Sequence, residues 1–251
     1  MTPEMRERYA RHILLKEVGG QGQQKLMAAR VLVVGAGGLG SPILQYLAAA
    51  GVGTLGVIDN DVVALSNLQR QVIYKTSDID RLKTNAAQDA VEALNPHTAI
   101  ESYNDLITDE TALDYVKQYD LVVEGVDNFE ARFALNKACI AARKPLISAA
   151  VGRFEGQLST FKSYQDAGVL PCYRCLVPQA PPVESQVNCA EEGVMGAITG
   201  VMGTLAAMEV LKELLELGQG LAGRLVVYDG LAAQFRTIAL PADPRCPDCA
   251  Q

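Results

Sequence analysis

Short apolar runs alternate with longer amphipathic stretches along the first 150 residues. The runs at 31–34, 55–58, 121–124 and 146–150 have the length and β-branched content of buried strands, and 98–103 alternates like a strand. Helical periodicity fills the intervals at 39–50, 81–94, 109–117 and 128–142, and Asn95-Pro96 stops the second of these. Residues 60–79 carry neither period. Strand–helix alternation of this kind predicts an α/β, Rossmann-like, doubly wound sheet. Ahead of it, residues 3–17 predict a helix capped by Thr2 with Pro3 at its first position. Gly19, Gly20 and Gly22 are expected to break that helix, with a short one following over 23–29.

After residue 150 the rhythm changes. Residues 157–162 alternate, a polar, proline-bearing stretch runs to about Glu192, and 193–217 read as one long helix. Residues 225–228 and 234–240 predict a hairpin around Asp229-Gly230. The sheet is therefore expected to be parallel in its first half and mixed in its second. No linker of flexible composition interrupts the chain, so a single domain over 1–251 is expected.

Composition narrows the class. The chain has 251 residues, 49% of them hydrophobic, and a formal net charge of −7, which excludes disordered and low-complexity proteins. Acidic balance without any Lys/Arg run speaks against nucleic acid as a partner. Residues 31–58 carry no charge and are long enough to span a bilayer, but they hold seven glycines and Pro42. They read as strand, turn, buried helix, turn and strand. The N-terminus is charged early and lacks a signal-peptide core, so no membrane association and a cytoplasmic location are expected.

The first chemical signal is Gly35-Ala36-Gly37-Gly38-Leu39-Gly40, a GxGxxG between a predicted strand and a predicted helix. Glycines let the backbone approach a phosphate, and the helix N-terminus supplies amide donors. Asp59 ends the second strand, where an acidic residue can bind a ribose hydroxyl. A tight turn packed without ligand is the plainer reading, and the placement of Asp59 favours nucleotide. The motif leaves NAD, FAD and ATP open; no GxxxxGK[ST] is present, which speaks against a P-loop enzyme.

The segment after the second strand is unusually polar. Residues 59–71 read DNDVVALSNLQRQ, and Lys83 lies twelve residues beyond Gln71. Arg70 and Lys83 fall where nucleotide phosphates could extend, and fixed cations there would stabilise charge on phosphoryl oxygens. Asp127 and Asn128 come directly after the fourth predicted strand, at the carboxyl end of the sheet. A carboxylate there could hold Mg²⁺ on phosphates. Each residue also has a bland reading, as a helix cap or a solvated charge; their combination behind a GxGxxG favours function.

Of six cysteines, Cys172, Cys175, Cys246 and Cys249 form two CxxC pairs. That spacing suits four thiolates on one Zn²⁺, a closed and structural shell tying the tail to the middle of the chain. A redox dithiol is the competing reading, and two such pairs would be redundant. Cys189 precedes the long helix and reads either as a nucleophile or as a quiet loop cysteine beside Glu191 and Glu192. Cys139 reads as core. His12 and His97 have no partners at ligand spacing.

Together GAGGLGS, DNDVVALSNLQRQ, Lys83, Asp127-Asn128, PCYRC and CPDC resemble the ThiF/MoeB family, bacterial relatives of ubiquitin-activating enzymes. The likeness covers essentially the whole chain. It implies adenylation of the C-terminal glycine of a small ubiquitin-like sulfur carrier protein ending in Gly-Gly, with Mg-ATP as co-substrate and pyrophosphate as product. The molybdopterin branch is the nearer likeness and the thiamine branch the next. A nicotinamide-dependent oxidoreductase on the same loop is the alternative from another class. The resemblance assigns residues 31–150 to nucleotide binding and 151–251 to the carrier and zinc. Gly38 would lie against the nucleotide and Asp59 would hold the ribose. Ser66, Asn67, Leu68, Gln69, Arg70, Gln71 and Lys83 would surround the nucleotide, with Arg70 and Lys83 stabilising the transition state. Asp127 would bind Mg²⁺ beside Asn128. Arg11 would reach the partner's site in a homodimer, and Cys189 matches the family's conjugating cysteine. The chain ends two residues after Cys249, so a separate protein is expected to deliver sulfur.

Overall fold

The computed structural model describes residues 1–182 and 193–250. Its centre is one eight-stranded sheet in the order β3-β2-β1-β4-β5-β6-β7-β8. The strands are β1 (Arg30–Val34), β2 (Thr54–Ile58), β3 (Ala99–Tyr103), β4 (Leu121–Glu124), β5 (Leu146–Gly152), β6 (Glu155–Phe161), β7 (Arg224–Asp229) and β8 (Gln234–Ala239). Pairings from β3 through β5 are all parallel. Those from β5 through β8 are antiparallel. This is the Rossmann-like fold with a mixed second half that the pattern predicts.

The helices cover both faces. They are α1 (Pro3–Arg8), α2 (Ala10–Ile13), α3 (Gly19–Ala28), α4 (Gly40–Ala50), α5 (Lys83–Leu94), α6 (Ala112–Val116), α7 (Phe129–Ala142), α8 (Tyr173–Leu176) and α9 (Gly196–Leu215). Strand alternation sorts the core. Val31, Val33, Leu121 and Val123 face a cluster with Leu44, Leu47, Ala87, Met202 and Ala206. Leu32, Val34 and Val122 face the other, with Val116, Leu135 and Phe161. Strands buried on both faces explain why their sequences are apolar without gaps. Among the described residues no helix is long and apolar enough to cross a membrane.

The N-terminal segment departs from expectation. The predicted helix over 3–17 divides at Tyr9 (φ −98°, ψ 12°). Tyr9 is buried with its hydroxyl accepting from Asn95 Nδ2 at 2.8 Å, and burying that ring turns the chain. The glycines at 19, 20 and 22 do not precede the next helix but form its first turn. A Cβ on Gly22 would lie 3.0 Å from Val18 and 3.4 Å from Leu215, so the small residue lets α3 approach α9. The helix expected from residue 81 starts at Lys83, because Arg81 is drawn back to Asp78 at 2.8 Å. The helix expected over 109–117 is limited to α6.

The strand order reverses between β1 and β4. A doubly wound sheet leaves a crevice at that point, beyond the carboxyl ends of its strands.

Candidate functional site

That crevice is an open cleft of about 400 Å³. Its floor is the turn from β1 into α4. Gly35 has φ +88°, a region that favours glycine, and a Cβ on Gly40 would sit 2.0 Å from the Gly35 carbonyl oxygen. Gly38 is pressed from above by α9: a Cβ there would lie 2.9 Å from the Thr199 methyl. The turn is held by its neighbours. The Ala36 N–H donates to Asp59 Oδ2 at 2.8 Å, and the Tyr74 hydroxyl donates to the Ala36 carbonyl at 2.7 Å. Burial and the nearby carboxylates of Asp59, Asp61 and Asp78 push the Tyr74 phenol far up, so it stays a donor. The result is a rigid concave backbone with a helix N-terminus aimed into the cleft.

Around this floor the structure gathers most of the residues singled out from sequence. Gly38, Asp59, Asn67, Arg70, Gln71, Lys83, Asp127 and Asn128 all line the cleft. Lys83 opens α5 with its side chain buried; its Nζ lies 2.7 Å from Asp61 Oδ2 and 3.9 Å from Asp59 Oδ1. Asp59 Oδ1 also accepts from the Asp61 N–H at 2.9 Å. Arg70 donates to the Ser66 carbonyl at 3.1 Å and pairs with no carboxylate among the described residues. Gln71 is buried, and its Oε1 has no partner among the described residues. Asn128 caps α7, accepting from the Ala131 N–H at 2.8 Å, and still faces the cleft; Asp127 beside it is exposed. One cleft thus holds a helix N-terminus, two cations and a carboxylate, a set of groups suited to a polyphosphate and a divalent ion.

Other candidates lie elsewhere. Ser66, Leu68 and Gln69 do not line the cleft. Ser66 supports Arg70, Leu68 packs on the core, and Gln69 lies against the start of α9. Arg11 is exposed on α2, two residues after Tyr9, whose ring packs on Gly51 ahead of β2, and it does not line its own chain's cleft. Cys189 lies outside the described residues.

Two site residues escaped the sequence reading. Glu124 ends β4 fully buried, and Arg132 in α7 lines the cleft. Arg132 Nε lies 3.7 Å from Glu124 Oε2, and Ser148 Oγ donates to the same carboxylate. Burial pushes the Glu124 carboxyl up, against the pull of Arg132 and Ser148. The available signal was a charged residue closing an otherwise apolar parallel strand, which must find a partner inside.

The four CxxC cysteines converge behind α7. Their sulfurs all lie within 4.8 Å of one another, with Cys172–Cys246 at 3.5 Å and Cys175–Cys249 at 3.4 Å. Four sulfurs this close together fit the donor set of a zinc ion, for which Zn–S is about 2.3 Å. Burial pushes the Cys172 thiol up to about 12, so a cation is what would stabilise the thiolates. Asn136 Nδ2 donates to Cys172 Sγ at 3.5 Å and the Asp243 N–H to Cys175 Sγ at 3.4 Å. Four thiolates on one zinc would leave no coordination position for a substrate.

A Rossmann-like sheet whose switch point carries paired cations and a carboxylate defines an enzyme that handles nucleotide phosphates. The ThiF family model matches residues 9–248, and the chain belongs to the ThiF family. It is 47% identical over 249 residues to the sulfur carrier protein adenylyltransferase of Thermus thermophilus, covering 99% of this chain and 92% of that one. It is 47% identical over 250 residues to the adenylyltransferase and sulfurtransferase MOCS3 of Bos taurus, covering all of this chain and 54% of that protein. The probable adenylyltransferase/sulfurtransferase MoeZ of Mycobacterium tuberculosis is 44% identical over 240 residues, or 96% of this chain and 61% of that one. The chain therefore spans little more than half of the longer relatives. At this identity it is an adenylyltransferase. The solved structure of E. coli MccB with MccA-N7isoASN shares the fold, with a TM-score of 0.83 at 23% identity over 98% of this chain and 75% of that one.

Proposed function

We propose that this chain adenylates the C-terminal glycine of a small ubiquitin-like sulfur carrier protein with Mg-ATP, releasing pyrophosphate. What carries the reading is that Arg70, Lys83 and Asp127 line the same cleft as the glycine turn that opens α4. A relative 47% identical over nearly its full length bears the name sulfur carrier protein adenylyltransferase, and this supports it too. In the proposed reaction the carrier's terminal carboxylate attacks the α-phosphorus of ATP, the bond to the β-phosphate oxygen breaks, and pyrophosphate leaves with the electron pair. Arg70 and Lys83 bind the departing phosphates and stabilise the charge that develops on them. The glycine turn cradles the nucleotide through backbone amides, and Asp59 orients the ribose. Asn67 and Gln71 complete the polar wall, and the unpartnered Oε1 of Gln71 fits a site built for ligand. Asp127 would hold magnesium, which neutralises phosphate charge when bound, with Asn128 beside it.

The groove next to the cleft supports the carrier's place. Residues 150–157 with Asp229, Leu231 and Ala232 line a second cavity that shares Ala150 and Val151 with the nucleotide cleft. Beside it Leu231 and Phe235 are exposed, an apolar face of the kind that marks a protein partner. A flexible glycine tail lying there would be delivered in line with the α-phosphate, which is largely a matter of orientation. The whole chain works as one unit on this reading, with Cys172, Cys175, Cys246 and Cys249 on zinc. Arg11 serves the partner's cleft in a homodimer, consistent with its not lining its own. The motif likeness favours the molybdopterin-type carrier over the thiamine-type.

The test is mass spectrometry of carrier incubated with enzyme and Mg-ATP. An AMP adduct on the carrier's terminal glycine with wild-type enzyme, lost with Asp127→Ala, is the expected result. An adduct formed equally by Asp127→Ala would overturn the assignment of that residue, and no adduct with either carrier type would overturn the reading.

A further inference from the structure

The partly buried Arg132 does something the proposed chemistry does not use. It donates to the Val126 carbonyl through Nη2 at 2.6 Å and Nε at 3.2 Å, and to the Ala149 carbonyl at 3.1 Å. The N–H of the same Val126 donates to Glu124 Oε2 at 3.0 Å. Both polar groups of residue 126 are thus taken by the two members of one buried ion pair, and the next residue is Asp127. Where Asp127 stands is therefore fixed by where the Arg132 guanidinium stands.

The same guanidinium also reaches Tyr173. Its Nη1 lies 3.4 Å from the Tyr173 hydroxyl, and its guanidinium carbon is 5.8 Å from the centre of that ring. Tyr173 sits between Cys172 and Cys175. One helical turn further along α7, Asn136 accepts from the Tyr173 N–H at 2.8 Å, and its Nδ2 donates to Cys172 Sγ and to Asp248 Oδ2 at 2.8 Å. Asn128, Arg132 and Asn136 are spaced four apart, so they form one polar stripe along α7. It begins in the nucleotide cleft and ends at the sulfurs. Arg174, between the same two cysteines, lies over the Phe133 ring at 4.5 Å and 3.7 Å from Asp248, which locks the knuckle against the same helix.

We propose that α7 couples the cysteine knuckle to the cleft, with Arg132 as a positioning residue that transmits the seating of Tyr173 to the Val126–Asp127 peptide. The metal site is then more than a fastener for the tail: its integrity sets the placement of the carboxylate that holds magnesium. The proposal rests on the reading of Asp127 given above, but half of its test does not.

That half is amide hydrogen exchange at residues 125–131 in the intact chain, with and without a zinc chelator and with no nucleotide present. Faster exchange there on chelation, together with loosening at 172–176, is expected. Loosening confined to 172–176 and 246–249 would overturn the coupling whatever the enzyme's substrate proves to be. The second half uses Arg132→Lys, which keeps the charge facing Glu124 but loses the fork. The magnesium concentration for half-maximal adenylation should rise by about tenfold, the scale on which supports of a metal-holding ligand act, with the KM for carrier unchanged. A lost fold would lower all activity without shifting that magnesium dependence. Tyr173→Phe, which removes one hydroxyl, covers the case in which Arg132→Lys does not fold; it should accelerate exchange at 125–131 and shift the magnesium dependence the same way. Wild-type values for both readouts in Tyr173→Phe or a folded Arg132→Lys would overturn the proposal.

Discussion

Lys83→Ala separates two jobs of one ammonium group. In the resting protein Lys83 Nζ is paired with Asp61 at 2.7 Å and lies 3.9 Å from Asp59. The Asp61 side chain is 64% exposed, so that contact contributes less than about 1 kcal/mol. Asp59 is nearly buried and is the more serious loss. A unit charge pair near 4 Å attracts by about 4 kcal/mol at an effective dielectric of about 20. Most of that is offset by the cost of burying the lysine itself. Asp59 also keeps its two backbone donors, Ala36 N–H and Asp61 N–H. The net destabilisation is then about 1–2 kcal/mol, small against a total stability of about 5–15 kcal/mol. The catalytic loss is larger. A fixed donor aimed at developing charge contributes about 3 kcal/mol, or roughly a hundredfold in rate. Single-turnover formation of the adenylated carrier at saturating ATP should therefore slow by about a hundredfold, while urea unfolding moves by only the smaller amount. A rate within about threefold of wild type would refute the role of Lys83 in stabilising the transition state. So would a loss that tracks the folded fraction at each urea concentration.

The same structure sets further outcomes. Gly40→Ala places a Cβ 2.0 Å from the Gly35 carbonyl oxygen and should destabilise by about 3 kcal/mol and abolish nucleotide binding, whereas Gly152→Ala meets nothing within 4 Å and should be neutral; thermal melts and titration with ATP decide. The purified chain should carry about one zinc per chain by atomic emission, and chelation should expose four thiols to a colorimetric reagent; four reactive thiols before chelation would refute the zinc assignment. Asp78 accepts from the Lys75 N–H and from Arg81, which holds its carboxyl below the usual range. Its contribution to stability is therefore fully present above the unfolded carboxylate value near pH 4 and lost as pH falls through the folded one. Asp78→Asn should lower the urea midpoint at neutral pH and converge with wild type in acid, and parallel profiles would contradict this.

What could be read from the sequence divides along physical lines. The strands β1, β2 and β4 are buried on both faces, so their apolar runs announce themselves, and the turn between β1 and α4 admits only glycine at Gly40. The cysteine pairs carry their geometry in their spacing. Asp127 and Asn128 were legible because they come after a strand at the carboxyl edge. Glu124 and Arg132 were not, since their meaning lies in a contact across the sheet–helix interface that no local period encodes. The kink at Tyr9 is set by the partner Asn95, 86 residues away. The glycines of α3 look like breakers locally, yet they start the helix, and Gly22 among them lets it pack closely on α9.

On the proposed function the cleft performs chemistry at the α-phosphate of ATP for a protein carboxylate. Isotope exchange between pyrophosphate and ATP tests it most directly, with purified enzyme, magnesium and a carrier ending in Gly-Gly. Label should enter ATP only when the intact carrier is present, and removing the carrier's last glycine should stop it. Tight ATP binding with no exchange in the presence of molybdopterin-type or thiamine-type carrier would contradict the account.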